Sequence, residues 1–309
     1  MKLIIISQKS NQSDWVTALK KLEPNLKVEI YPNDTNKEEV VFALAWHPPI
    51  GVFGDYPNLR CIASTGAGVD HILRDAGLDP GVAVTRVVNS RLTDDMTSYL
   101  VAQVMCQLRN VAHYKFLQTN NEWQPKQYRD KTKIRIGIMG FGVLGRDVAE
   151  KFRDLDFKVM GWANTAKTAE GIEVFAGKPG FNDFLNKSDI LICLLPLTSA
   201  TENILNRETF NQLPDGAFII NVARGEHLVE EDLIAALEEG KLSGACLDVF
   251  REEPLPAGHI FWHHPKVTVT PHIASITSPE SVAPQIIENY RRLREGKTLL
   301  NVVSREKGY

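Results

Sequence analysis

Arg224, Glu253 and His272 are the residues whose types together supply acid–base chemistry on a carbonyl compound that also carries a carboxylate. Each follows a short apolar run that reads as a strand: Ala217 to Val222, Gly244 to Val249, and Val267 to Thr270. The carboxyl edge of an open α/β sheet is where such folds bind ligands. Imidazole titrates near neutral pH and can both give and recover a proton, so His272 suits the acid that protonates a carbonyl oxygen while hydride reaches the carbon. Glu253 would hydrogen-bond the other ring nitrogen, fixing its orientation and favouring imidazolium. Arg224 offers a planar fork for a substrate carboxylate and polarises the carbonyl. Taken singly, each has an ordinary explanation: a structural ion pair, a solvated loop acid, a histidine satisfied by backbone. Jointly they are the acid, orienter and anchor that reduction of a 2-keto acid requires.

Hydride transfer needs a donor, and a glycine turn offers it a seat. The apolar run Ile134 to Met139 leads into Gly140-Phe141-Gly142-Val143-Leu144-Gly145, which opens a helical segment from Arg146 to Leu155. Gly140 permits the tight turn, Gly142 lets backbone approach a pyrophosphate, and Gly145 lets helix and strand pack closely, with the N–H groups of the first helical turn facing the phosphates. Gly66-Ala67-Gly68-Val69-Asp70 also follows a strand-like run, but His71 stands at the third glycine position and would hinder that packing, so a different kind of site is expected there. The loop where an acid would hold a ribose 2′-hydroxyl reads Trp162-Ala163-Asn164-Thr165-Ala166-Lys167, without a carboxylate. Asn164 and Thr165 can hydrogen-bond a 2′-phosphate and Lys167 can pair with it, which favours NADP(H). With Lys167 as a merely solvated loop residue, NAD(H) is the alternative.

The elements that must position these groups alternate between strand and helix. Lys2 to Ser7, Lys27 to Tyr31, Val41 to Trp46, Arg60 to Ser64 and Val82 to Val87 read as strands of a parallel α/β sheet. A helix is expected from about Asp94 to Val111, followed by a polar, aromatic connecting arm through Asn120, Trp123, Gln124, Pro125 and Tyr128. A second series of six strands begins at Ile134, the count of a full dinucleotide-binding sheet. Its later helix buries Val229, Leu233, Ile234 and Leu237 on one face and carries Glu230, Glu231 and Asp232 at its positive end. After Ser278-Pro279 too little chain remains for another domain, so the final amphipathic helix is expected to pack back onto the first sheet. This gives a substrate domain from residues 1–95 and 276–309, with a dinucleotide-binding domain, 96–275, inserted into it.

With 309 residues and a net charge of −3 spread along the chain, two domains are expected and neither nucleic acid nor an anionic membrane is a natural partner. Cys61, Cys106, Cys193 and Cys246 are scattered, which indicates neither disulfides nor a zinc site. His259, His263 and His264 lack metal-ligand spacing and read as solvated loop histidines, so no metal is expected. The apolar run Leu3 to Ile6 is too short for a signal-peptide core, and no run approaches the ~20 residues of a membrane span, which leads to a cytoplasmic expectation.

Arg224, Glu253 and His272, in this order and downstream of the glycine turn, resemble the signature of the D-isomer-specific 2-hydroxyacid dehydrogenases over essentially the whole chain. Ala45-Trp46-His47-Pro48-Pro49, Thr65 to Asp70, Trp123-Gln124-Pro125 and the Lys307-Gly308-Tyr309 end are similar to the branch of that family that reduces glyoxylate and hydroxypyruvate. The resemblance implies a Rossmann-type domain inserted into a flavodoxin-like one, a homodimer, and a site in a cleft. It further implies substrate-carboxylate binding by the backbone of Ala67, Gly68 and Val69, with Trp46 and His47 as pocket walls and Trp123 reaching a partner subunit. On the cofactor side it points to Leu195, Pro196, Val222 and Asp248 around the nicotinamide riboside. Ser98 replaces a glutamate common in relatives, and the arginine usual beside Asn164 in NADPH users is missing. Reductases of other short or aromatic 2-keto acids, and a non-enzymatic dinucleotide sensor of the same fold, are the alternatives. The complete acid, orienter and anchor set argues against the sensor.

Overall fold

The computed structural model describes residues 1–8 and 12–309. From the N-terminus run β1 (Lys2–Ser7), α1 (Gln12–Leu22), β2 (Val28–Ile30), β3 (Val40–Trp46), β4 (Cys61–Ser64), α2 (Asp70–Leu73), β5 (Ala83–Thr85), α3 (Ser90–Leu108) and α4 (Val111–Thr119). Then follow β6 (Arg135–Met139), α5 (Val143–Asp154), β7 (Lys158–Ala163), β8 (Glu173–Ala176), α6 (Gly177–Asn186), β9 (Ile190–Cys193), α7 (Arg207–Gln212), β10 (Ala217–Asn221), α8 (Glu230–Glu238), β11 (Leu242–Leu247), β12 (Val267–Val269) and α9 (Pro279–Arg294). The chain divides into two compact units, Met1–Leu92 with Thr277–Tyr309, and Thr93–Ile276.

The first unit is built on a parallel sheet ordered β2-β1-β3-β4-β5, the flavodoxin-like order. Its strands are apolar on both faces because both are covered. Leu3, Ile5, Phe42 and Leu44 pack with Trp15 and Leu19 of α1 and with Val282, Ile286, Ile287 and Tyr290 of α9. Ile4, Ile6, Ala43 and Ile62 pack on the other face with Phe53, Ile72 and Val303. Each fully buried large side chain contributes roughly 1.5–3 kcal/mol, so α9 is integral to this core. Pro279 occupies its first turn, Pro284 is accommodated inside it, and Gly296 closes it at φ +67°.

The second unit carries seven parallel strands, β12-β11-β10-β9-β6-β7-β8, one more than the sequence suggests. Reading from β6 outward, this is the Rossmann order with an additional strand. The overlooked member is β8, the third strand of that order: Glu-Val-Phe-Ala at a sheet edge, exposed or half-buried throughout, with only three consecutive apolar residues to announce it. The long helix also differs from expectation. It starts earlier, at Ser90, and stops at Leu108, where Asn110 takes the left-handed region at φ +56° and a separate α4 begins. Ile138, Ile192 and Ile220 pack with Val104 of α3 and Phe152 of α5, while Leu191, Ile219 and Leu247 pack on the opposite face with Leu233 and Leu237 of α8.

Candidate active site

The glycine turn sits where the strand order reverses, between β6 and β9. Gly140 has φ +112°, and a Cβ there would lie 2.7 Å from the Leu194 carbonyl oxygen. At Gly145 a Cβ would fall 1.9 Å from the Gly140 oxygen, so only glycine lets α5 lie this close to β6. A Cβ on Gly142, by contrast, would meet nothing within 4 Å. Two of the glycines are thus required by the protein's own backbone, and the third leaves an open face where a pyrophosphate backbone approach would occur. The N–H groups of Val143 and Leu144 in the first turn of α5 have no intrahelical acceptor to use. These features fit a dinucleotide.

The loop after β7 is tied to this turn from both sides. Lys167 Nζ donates to the Phe141 carbonyl at 2.7 Å, and Arg146 Nη2 donates to the Thr168 carbonyl at 2.9 Å. Asn164, Thr165 and Lys167 are exposed. Lys167 is therefore anchored on the glycine turn rather than free in solvent.

The three chemical residues come together at the carboxyl edge of this sheet. His272 Nδ1 lies 2.8 Å from Glu253 Oε2, while Glu253 Oε1 accepts the Phe250 N–H at 3.0 Å. Burial alone would raise the Glu253 pKa. The hydrogen bond and charge of His272, the Phe250 N–H and the Arg224 guanidinium outweigh it and hold the carboxyl below its usual range. An ionised carboxylate can only accept, so Nδ1 carries hydrogen, which leaves Nε2 as the nitrogen available to a ligand. His272 itself takes the left-handed region at φ +53°, a conformation unfavourable for a residue with a side chain.

Arg224 is delivered by a tight loop. Asn221 Nδ2 donates to the Arg224 carbonyl at 2.8 Å, and Arg224 Nη1 donates to the Ala223 carbonyl at 2.6 Å. Gly225 permits this loop to touch the next, since a Cβ there would fall 1.9 Å from the Phe250 carbonyl carbon. Arg251 clamps the same pair of loops by donating to the Leu228 carbonyl at 2.8 Å and to Asn203 Oδ1. His227, fully buried and unremarked in the sequence, accepts the Arg224 N–H at Nδ1 (3.2 Å) and stands 3.3 Å from the Pro196 carbonyl at Nε2. A single tautomer serves both, linking the Arg224 loop to the Leu195-Pro196 loop. Val222 and Leu195 are buried beside them.

Asp248 is 1% exposed and organises the His272 turn. Its carboxylate accepts the Thr270 hydroxyl at 2.6 Å and the N–H groups of Ile273 at 2.9 Å and Ala274 at 2.8 Å. The family resemblance implied only a place for Asp248 around the nicotinamide riboside, and this internal work was not foreseen. His259 is another departure: instead of being merely solvated it is half-buried, pairs with Glu230 at 3.0 Å and accepts the Phe261 N–H.

In the first unit, the turn after β4 is stapled by Ser64, whose hydroxyl donates to the Gly68 carbonyl at 2.8 Å and accepts the Gly66 N–H at 3.1 Å. Among the described residues no acceptor meets the N–H groups of Ala67, Gly68 or Val69, a cluster of donors suited to an anion. Trp46 covers this turn so closely that a Cβ on Gly66 would lie 2.7 Å from its ring. His71 packs 4.7 Å from Trp46 and stacks on His47 at 5.0 Å, with His47 in the left-handed region at φ +46°.

Comparison with known proteins places this chemistry. Residues 101–274 match the family model "D-isomer specific 2-hydroxyacid dehydrogenase, NAD binding domain". The chain belongs to the D-isomer specific 2-hydroxyacid dehydrogenases. It is 38% identical to such an enzyme from Xanthobacter autotrophicus in complex with NADPH and MES, with a TM-score of 0.95 and coverage of 100% of this chain and 99% of that one. An NADPH-dependent glyoxylate/hydroxypyruvate reductase from Sinorhizobium meliloti, in complex with NADP and sulfate, is 32% identical at TM-score 0.93, again covering 100% and 99%. A probable 2-hydroxyacid dehydrogenase from Rhizobium etli, in complex with NADP, HEPES and L(+)-tartaric acid, is 34% identical at TM-score 0.90 and covers 100% of both chains. The protein is therefore an oxidoreductase of 2-hydroxy and 2-keto acids that works with a nicotinamide dinucleotide. No helix among the described residues is long and apolar enough to cross a membrane.

Proposed function

We propose that this enzyme reduces glyoxylate to glycolate and hydroxypyruvate to D-glycerate with NADP(H), in the cytoplasm and as a homodimer. The observation that carries the reading is the His272–Glu253 pair at 2.8 Å on the sheet edge that also bears Arg224 and the glycine turn. Three similar enzymes hold NADPH or NADP, one of them named a glyoxylate/hydroxypyruvate reductase. The loop after β7 presents Asn164, Thr165 and an anchored Lys167 with no carboxylate to repel a 2′-phosphate.

When bound, a nicotinamide dinucleotide would supply the hydride for the carbonyl carbon. Arg224 holds the substrate carboxylate and draws electron density toward the carbonyl oxygen. His272 gives that oxygen its Nε2 proton, so the C=O bond becomes CH–OH. Glu253 keeps the ring oriented and stabilises imidazolium before the transfer. Backbone N–H groups of Ala67, Gly68 and Val69 bind carboxylate oxygens, and Trp46 limits the size of the acid. Asp248, Leu195, Pro196 and Val222 would border the nicotinamide riboside. The exposed apolar residues Val111, Phe116, Trp123 and Tyr128 on and after α4 supply the surface for a second copy.

The test is NADPH consumption with a panel of 2-keto acids, repeated with NADH. Turnover of glyoxylate and hydroxypyruvate with clear preference for NADPH is expected. Preference for NADH overturns the cofactor assignment, and absence of turnover with every short 2-keto acid overturns the reaction. His272→Ala and Arg224→Ala should each lower kcat/KM by at least about a thousandfold while NADPH binding stays measurable. Near-normal activity in either removes that residue from the mechanism.

A further inference from the structure

His272 is held in an unfavourable backbone region, so something must compensate, and the bonds that do so can be followed inward. The His272 N–H donates to the Asp248 carbonyl at 2.8 Å, and the next two N–H groups donate to the Asp248 carboxylate. Thr270, two residues before the acid, donates its hydroxyl to Asp248 Oδ1. A hydroxyl has one hydrogen, and a carboxylate can only accept. Thr270 must therefore accept at its other contact, the Tyr99 hydroxyl 2.6 Å away. Tyr99 in turn stands 3.2 Å from Cys246 Sγ, which leaves the thiol as donor. The direction of every hydrogen is thus fixed by the Asp248 charge: Cys246 to Tyr99, Tyr99 to Thr270, Thr270 to Asp248. Burial pushes the Cys246 thiol up to about 12 and, with the neighbouring charge, pushes the Tyr99 phenol up as well, so both keep their hydrogens.

We propose that Tyr99, on α3, is a positioning residue for His272, acting through Thr270 and the Asp248 carboxylate that fixes the left-handed turn. Tyr99 is remote in sequence from all three catalytic candidates and touches none of them. Its hydroxyl fills the acceptor side of Thr270, which holds the Thr270 side chain in the one rotamer that donates to Asp248 and keeps the carboxylate in place as acceptor for the turn. Without the phenol, Thr270 gains another orientation and the turn carrying His272 loses its single geometry. Misplacement of an acid on this scale is felt in the chemical step rather than in binding. The inference rests on His272 being the acid, and the closing measurement separates the two.

Tyr99→Phe, Thr270→Val and Thr270→Ser are compared with wild type in two ways. The first is steady-state kinetics with NADPH binding measured alongside. Tyr99→Phe should lower kcat about five- to tenfold with KM and the NADPH dissociation constant within twofold, Thr270→Val should lower it further, and Thr270→Ser should restore most of the loss. The second uses the ligand-free protein and needs no activity: the downfield proton resonance of His272 Nδ1–H, identified by its disappearance in His272→Gln. It should broaden or move in Tyr99→Phe and return to the wild-type position in Thr270→Ser. An unmoved resonance in Tyr99→Phe, a kcat within twofold of wild type, a loss confined to KM, or a Thr270→Ser variant as impaired as Thr270→Val would each overturn the proposal. Should wild type turn over no 2-keto acid, the reaction assignment fails, and the resonance alone then decides for or against Tyr99.

Discussion

Two turns in this molecule look alike in sequence and do different work. Gly66-Ala67-Gly68-Val69-Asp70-His71 and Gly140-Phe141-Gly142-Val143-Leu144-Gly145 both follow a buried parallel strand and both open a helix. They part at the sixth position. Gly145 lets a twelve-residue helix lie against its strand, leaving Gly142 open and the first-turn N–H groups in place for phosphates. His71 cannot allow that approach. Its helix is four residues long, its ring stacks with His47 beside Trp46, and the N–H groups of Ala67, Gly68 and Val69 remain as a small donor cluster under an aromatic wall. The residue at one position separates a turn that opens a long, closely packed helix from one that leaves a small donor cluster under an aromatic wall, as the proposed dinucleotide and carboxylate sites require.

The comparison can be broken most severely at Gly145. In Gly145→Ala the new Cβ meets backbone 1.9 Å away, which neither element can yield without separating. A loss of about 2–3 kcal/mol or more in urea unfolding, together with loss of dinucleotide binding, is expected. Gly142→Ala should do the opposite: stability changes by less than about 1 kcal/mol, since the space is open, while NADPH affinity falls at least about tenfold in a fluorescence titration. Unchanged affinity there would mean that the open face does not receive the pyrophosphate. Gly66→Ala presses on the Trp46 ring rather than on backbone, so it should raise the KM for the 2-keto acid roughly three- to tenfold and leave NADPH binding alone. A weaker NADPH complex in this variant would erase the division of labour between the turns.

The smallest expected effect is electrostatic. Glu253 has its carboxyl held below the usual 4.5, so it contributes stability above that value and loses it as pH falls through the lowered one. Glu253→Gln should therefore be less stable than wild type at pH 7, and the gap in urea midpoint should close as the medium is acidified below the carboxylate range. A gap that widens on acidification contradicts the assigned sign.

Strands buried on both faces were readable because continuous apolar runs are their direct signature; β1 and β10 begin where the runs begin. β8 was not, since its apolar run is only Val174 to Ala176 and an edge strand is paired on one side alone. Asn110 ended the long helix through a backbone conformation that side-chain periodicity does not record. Arg224, Glu253 and His272 were singled out as candidates from residue type and position at strand ends, and the structure brings them together at one sheet edge. Tyr99 and His227 were not, because their value lies in which hydrogen each can give, and that depends on partners far away in sequence. Asp248 was noticed for its charge but not for the turn it holds.

The core of the first unit has a temporal consequence. Val282, Ile286, Ile287 and Tyr290 close one face of a sheet whose strands all lie before residue 86, yet they are separated from it by the whole of the second unit. During synthesis, β1 to β5 leave the ribosome long before the helix that covers them. The second unit is one uninterrupted stretch and can fold as soon as it emerges, while the first must stay incomplete until α9 follows. The part of the chain that is made first is therefore the last to be finished, and its uncovered sheet is what a chaperone would meet.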